Sequence, residues 1–189
     1  MAKPEVLLSE EQIQQKVAEM GAAISQFYGQ KKVHVVGLLD NGFIFMADLA
    51  RRLTCPAVCQ FVKMETHDVT EGGHERRLVV YTPHLEVRNQ DLLLVDCVLH
   101  TGVTLDHLIQ QFRAKGAASI RTAVLIDKND ERHVELAPDF AGFQLHGRFL
   151  VGYGLGYEEL YRNLPYVGTY GAGPAGKSPA ATAAGDGKD

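Results

Sequence analysis

The 189-residue chain has no apolar run long enough to span a bilayer, and its opening Met-Ala-Lys-Pro-Glu lacks the apolar core of a secretory signal. A cytoplasmic protein with no membrane partner is expected. A strong excess of one charge is missing too. The 19 Lys and Arg stand against 23 Asp and Glu, a net charge of −4, so neither nucleic acid nor an anionic lipid surface is an obvious partner. Only 3 cysteines are present, Cys55, Cys59 and Cys97, and they form neither an even secreted framework nor a Cys-x-x-Cys pair, so reduced thiols are expected. The 8 histidines supply no tight cluster at ligand spacing, which argues against a structural metal. No internal repeat is visible. What remains is 46% hydrophobic and 22% charged, enough for one globular domain with a sizeable core. That domain is expected over residues 1–170. Beyond Tyr170 the composition collapses to Gly, Ala, Pro, Ser and Lys, so residues 171–189 read as a disordered tail.

Within the domain, Ser9-Glu-Glu-Gln12 has capping-box form, and Ile13, Val17, Met20, Ile24 and Phe27 follow at helical spacing, predicting a helix from Glu10 to Tyr28. Val33 to Leu39 reads as a buried strand, Asp40-Asn41-Gly42 as a turn, and Phe43 to Leu53 as a second helix. Val58 to Lys63 predicts a strand. Glu65 to Arg77 is polar, carries Gly72-Gly73 and has little periodicity, so a mobile loop is expected there, with Leu78 to Tyr81 returning as a strand. Leu105 to Ala114 is helical in spacing and Ser119 to Asp127 predicts a further strand. Pro138 to Phe143 and Phe149 to Leu155 are short apolar segments suited to strands or to a hood over the sheet edge. Strands alternating with helices point to an α/β fold with a parallel sheet core flanked by helices.

The stretch from Asp91 to Leu105 carries the chemistry. Leu92 to Val95 is too short and aliphatic for a solvated strand and reads as a buried parallel one. The loop after it, Thr101-Gly102-Val103-Thr104, offers two hydroxyls and a run of backbone N–H groups at a helix start, where the dipole favours a phosphate. By itself this is an anion cradle at the carboxyl end of a strand, or an ordinary βα turn that binds nothing.

The same stretch resembles the phosphoribosyl pyrophosphate loop of type I phosphoribosyltransferases, whose pattern is two acids, two apolar residues, then Asp-Thr-Gly-x-Thr. Two further blocks narrow the resemblance to the hypoxanthine-guanine phosphoribosyltransferases. Val35 to Leu53 is similar to that family's pyrophosphate loop and following helix, and Val151 to Gly168 to its C-terminal signature. The three blocks stand in the family's order and span roughly Val6 to Tyr170. The resemblance implies the type I phosphoribosyltransferase fold with a small C-terminal hood. It also implies an enzyme of purine salvage that moves ribose 5-phosphate from phosphoribosyl pyrophosphate to a 6-oxopurine with Mg²⁺, forming IMP or GMP. A homodimer or homotetramer is the family's usual assembly.

Residue by residue, the resemblance assigns Thr101, Gly102, Val103 and Thr104 to the 5′-phosphate, Lys128 to the purine's exocyclic oxygen, Phe149 to stacking on the base and Leu150 to backbone contacts. Arg162 approaches the pyrophosphate, and Leu39, Asp40 and Asn41 form the pyrophosphate loop. Asp96 matches the first acid, beside the ribose and the metal. The departures fall on the chemistry. Cys97 stands where the second acid belongs, and His100 replaces the Asp that takes the purine proton. Gly156 replaces a metal-side Asp, and Leu39-Asp40-Asn41 replaces Leu-Lys-Gly. A neutral imidazole at His100 can still accept a proton at pH 7, although it lacks a carboxylate's field. Thr66-His67 takes the place of a Ser-Tyr pair that covers the site. The expected function is therefore a purine phosphoribosyltransferase with impaired transfer, or alternatively a non-catalytic purine-nucleotide-binding protein on the same fold.

Overall fold

Ser9 ends an extended segment and starts a helix. Its hydroxyl accepts from the Gln12 backbone N–H at 3.3 Å, and its own N–H donates to the Gln12 side chain at 2.9 Å. This reciprocal cap satisfies two donors that the first helical turn would otherwise leave open. In the computed structural model, which describes residues 4–63, 65–71, 74–80 and 85–170, the first strand and helix are β1 (Glu5–Leu8) and α1 (Glu10–Tyr28). They are followed by β2 (Val33–Leu39), α2 (Phe43–Ala50), β3 (Ala57–Lys63), β4 (Glu65–Glu71), β5 (His74–Val80) and β6 (Asp91–Leu99). Then come α3 (Val103–Ala114), β7 (Ser119–Asp127), β8 (Phe140–Gln144), β9 (Leu150–Val151) and β10 (Val167–Thr169). The expected tail, 171–189, lies outside the described residues.

Five strands form the central sheet in the order β3-β2-β6-β7-β8, and every neighbouring pair is parallel. The parallel core and flanking helices are as the alternating pattern implied. Strand pleating divides the core. On β6, Leu93, Val95 and Cys97 join one cluster with Ile13, Val17, Ile24, Phe45 and Leu49 from α1 and α2. Leu92 and Leu94 face the other way, into a cluster with Leu105, Leu108, Ile109 and Phe112 of α3. With both faces covered, β6 can be an unbroken aliphatic run.

Two segments differ from the sequence reading. Glu65 to Arg77, expected as a loop, lies mostly in an antiparallel hairpin of β4 and β5, in which Glu65 pairs with Val80 and Glu71 with His74. Its polar sequence carries no apolar alternation, the signal on which a strand reading rests. The Thr66-His67 pair falls there, and its side chains lie outside the described residues. Of the strand and hood alternatives for Pro138 to Phe143, the strand is found: Phe140–Gln144 is the fifth parallel strand. The Asp139 carboxylate anchors its start to β7, accepting from the Thr122 N–H at 2.8 Å and hydroxyl at 2.9 Å. The hood itself is a three-stranded antiparallel sheet, β1-β10-β9, that recruits the N-terminal Glu5–Leu8. The second helix also ends at Ala50, three residues short of the expectation.

Candidate active site

Because β2, β6 and β7 run parallel, their C-terminal ends deliver Leu39, Leu99 and Asp127 to one end of the sheet. The Lys128 N–H donates to the Leu99 carbonyl at 2.9 Å, which seats Lys128 beside the loop that follows β6. Its ammonium donates to the Arg148 carbonyl at 3.3 Å, immediately before Phe149. Cation and hood aromatic are thereby joined. Phe149 is half-buried and meets the Tyr157 ring edge-on, with centroids 5.5 Å apart. Leu150 is buried at the start of β9.

At the loop after β6, Gly102 caps α3 with φ of +80°, a left-handed conformation that glycine adopts without strain. A β-carbon there would lie 2.8 Å from Val134 Cγ2 and 3.1 Å from Arg132 Cδ. Segment 132–134 thus straps the turn, and the His133 N–H donates to the Thr101 carbonyl at 2.9 Å. Val103 and Thr104 are exposed in the first turn of α3, where helical N–H groups have no partner within the helix. Arg132 was not singled out by the sequence reading. Its guanidinium pairs with the buried Asp127 carboxylate and donates to the Leu136 carbonyl at 3.0 Å, fixing the strap. It sits in a polar stretch without periodicity, so only its charge marked it.

Pleating separates Asp96 from Cys97. Cys97 is fully buried in the core, its thiol directed to the Tyr153 carbonyl at 3.6 Å, and burial pushes the thiol well above its ordinary range. Asp96 takes the opposite face and keeps some exposure. Its carboxylate accepts from the Cys97 N–H at 2.7 Å, yet burial dominates and raises it to about 7. His100 is half-buried where β6 ends.

Leu39, Asp40 and Asn41 press against this place from β2. The Leu39–Asp40 peptide is cis, and a β-carbon on Gly42 would lie 3.3 Å from the Asp96 Cα. Arg162 crosses from the C-terminal segment and donates from one nitrogen to the Asn41 side-chain oxygen at 2.7 Å and to the Gly154 carbonyl at 2.8 Å. Gly154, at φ of +95°, leaves room for this approach: a β-carbon there would lie 2.4 Å from the Asn41 carbonyl oxygen. Leu39, Asp40 and Arg162, with Phe43, Phe61 and Glu159, line an open cleft of about 510 Å³. Lys128 and Phe149 lie outside that lining, at the hood. Among the described residues no three His, Cys, Asp or Glu side chains gather as a metal-binding group.

Comparison with known proteins agrees with this arrangement. The family model described as phosphoribosyl transferase domain matches residues 5–158. The chain is 34% identical over 163 residues to the hypoxanthine-guanine phosphoribosyltransferase of Bacillus subtilis, covering 86% of this chain and 91% of that protein. With the Lactococcus lactis protein of the same name it shares 37% over 164 residues, 86% of this chain and 88% of that one. Among solved structures, a Bacillus anthracis hypoxanthine-guanine phosphoribosyltransferase superposes with a TM-score of 0.78 at 28% identity, covering 89% of this chain and 98% of that one. A Staphylococcus aureus hypoxanthine phosphoribosyltransferase gives 0.77 at 32%, covering 87% and 90%. The fold and these likenesses together place the chain in the hypoxanthine-guanine phosphoribosyltransferase family of type I phosphoribosyltransferases.

Proposed function

We propose that this protein transfers ribose 5-phosphate from phosphoribosyl pyrophosphate to hypoxanthine or guanine, forming IMP or GMP in the cytoplasm, and does so slowly. The observation that carries the reading is the seating of Lys128 between the Leu99 and Arg148 carbonyls, which sets a cation for a 6-oxopurine between the phosphate turn and Phe149. Thr101 to Thr104 hold the 5′-phosphate through N–H groups and hydroxyls. Phe149 offers a π face and Leu150 backbone groups to the base. His100 accepts the proton that leaves the purine nitrogen as the new bond forms.

The residues present fit one Mg²⁺, held by Asp96 and the substrate's own oxygens, since such sites combine one or two carboxylates with phosphates. Bound there, Mg²⁺ would supply neutralising charge for the pyrophosphate. Position 156 does not fit another. The slowness follows from Cys97, which turns into the core and gives the ribose no second carboxylate. Charge stabilisation is commonly the largest catalytic contribution, so that loss outweighs a retained base.

That same feature favours a second reading, a purine-nucleotide receptor without transfer. Incubation with hypoxanthine or guanine, phosphoribosyl pyrophosphate and Mg²⁺, beside calorimetric titration of GMP, separates the two. Product formation supports the transferase, and saturable GMP binding without product supports the receptor. Neither product nor binding at millimolar nucleotide overturns both. Assembly into a homodimer or homotetramer belongs to the proposal as well. Edge strand β3 leaves Val58 37% and Phe61 41% exposed, beside Phe43 at 40%. Light scattering that returns a monomer mass removes this part.

A further inference from the structure

Two departures from the family pattern meet at one retained side chain. Asn41 stands where the pattern has Gly, Gly156 where it has a metal-side Asp, and Arg162 lies between them. A β-carbon at Gly156 would fall 2.9 Å from Arg162 Nε and 3.0 Å from Cζ, so the guanidinium covers the space a carboxylate would fill. Arg162 is held there by its bonds to the Asn41 side-chain oxygen at 2.7 Å and the Gly154 carbonyl at 2.8 Å. The Gly154 N–H in turn donates to the Arg162 carbonyl at 2.9 Å, closing the bracket. Two acceptors in fixed positions leave a planar guanidinium little freedom.

We infer that this chain binds pyrophosphate with a single divalent cation, and that Arg162, positioned by Asn41, takes the place of a second one. This rests on the transferase reading given above. Asp40 and Glu159 line the same cleft as Arg162. A bare pyrophosphate entering it meets the like charges of both carboxylates. The substrate's pyrophosphate therefore enters as its metal complex, and the guanidinium, with donors that match phosphate oxygens, balances the charge that one ion leaves. Asn41 touches no reacting atom in this scheme and acts only through Arg162.

Manganese is a spectroscopic stand-in for magnesium, and inorganic pyrophosphate is the probe. Electron paramagnetic resonance of the intact chain titrated with Mn²⁺ at saturating pyrophosphate is expected to count one tightly held ion, and Gly156→Asp to count two. Asn41→Leu, which removes the acceptor at similar volume, is expected to weaken pyrophosphate about tenfold or more in Mg²⁺ while GMP, bound at the phosphate turn and hood, is held nearly as before. Two ions in the parent, one in Gly156→Asp, or unchanged pyrophosphate affinity in an Asn41→Leu protein that binds GMP, overturns the inference. Should Asn41→Leu fail to fold, the ion count in the parent and Gly156→Asp decides. Absence of product from hypoxanthine or guanine with the parent sinks the transferase reading instead, which keeps the two failures apart.

Discussion

The Lys128 ammonium donates to the Arg148 carbonyl at 3.3 Å, so Lys128 and the backbone that carries Phe149 are linked by a hydrogen bond. Lys128→Met removes a donor for the purine oxygen and releases the hood together, and GMP affinity is expected to fall about tenfold or more. Phe149→Ala should weaken GMP as well. AMP, whose amino group offers no acceptor to Lys128, is expected to bind worse than GMP in the parent and about equally in Lys128→Met. Calorimetry with AMP as tight as GMP in the parent would remove Lys128 from this role.

Gly102 combines a φ of +80° with Val134 Cγ2 at 2.8 Å from any added β-carbon. Gly102→Ala is therefore expected to destabilise the fold by about 1–3 kcal/mol. It should also distort the turn proposed to hold the 5′-phosphate. GMP would lose affinity while guanosine, which lacks the phosphate, would not, and comparing the two ligands separates a local effect from general loosening. Unchanged melting and unchanged GMP binding would contradict the strapped turn.

Asp96 gives a pH dependence with a definite sign. Burial raises its folded carboxyl to about 7, above an unfolded value of about 3.9, so the folded state binds the proton more tightly. The associated stability is fully present below about pH 4 and is lost as pH rises through 7. Some exposure remains, so about 4 kcal/mol is an upper bound on the change. The check is the urea midpoint in EDTA from pH 4 to 8, parent minus Asp96→Asn. A difference that is flat across this window, or that favours the parent at high pH, refutes the assignment.

Restoring both family acids looks productive on paper, but Cys97 faces the core. Cys97→Asp would press a carboxylate toward the Tyr153 carbonyl, itself an acceptor, and is expected to cost several kcal/mol of stability without raising turnover. His100→Asp, at the half-buried end of β6, is the change expected to raise turnover, by about tenfold, or about 1.4 kcal/mol. Steady-state kinetics with hypoxanthine on both single variants decides. Faster turnover by Cys97→Asp alone would mean that this position reaches the ribose.

The sheet, the capped α1 and the βα turn at Thr101 to Thr104 were legible because each rests on local chemistry: Ser9 with Gln12, the aliphatic run Leu92 to Val95, and Gly102 before an apolar helical period. What escaped the sequence depends on partners far along the chain. Nothing near Glu5–Leu8 announces its pairing with Val167–Thr169, and nothing near Arg162 announces the Asn41 oxygen 121 residues away. Cys97 shows the same limit at short range. Read in one dimension it is Asp96's neighbour, whereas the pleat sends the two side chains to opposite faces.

The hood joins the beginning of the chain to its far end, since β1 pairs with β10 in the register Glu5 with Thr169 and Val6 with Gly168. During synthesis Glu5–Leu8 leaves the ribosome with its partner still some 160 residues from being made. The central sheet can assemble from consecutive units meanwhile, but the hood closes last, as the most sequence-distant pairing in the fold. A nascent protein halted before Val167 would hold a finished Thr101 to Thr104 turn beneath an open roof.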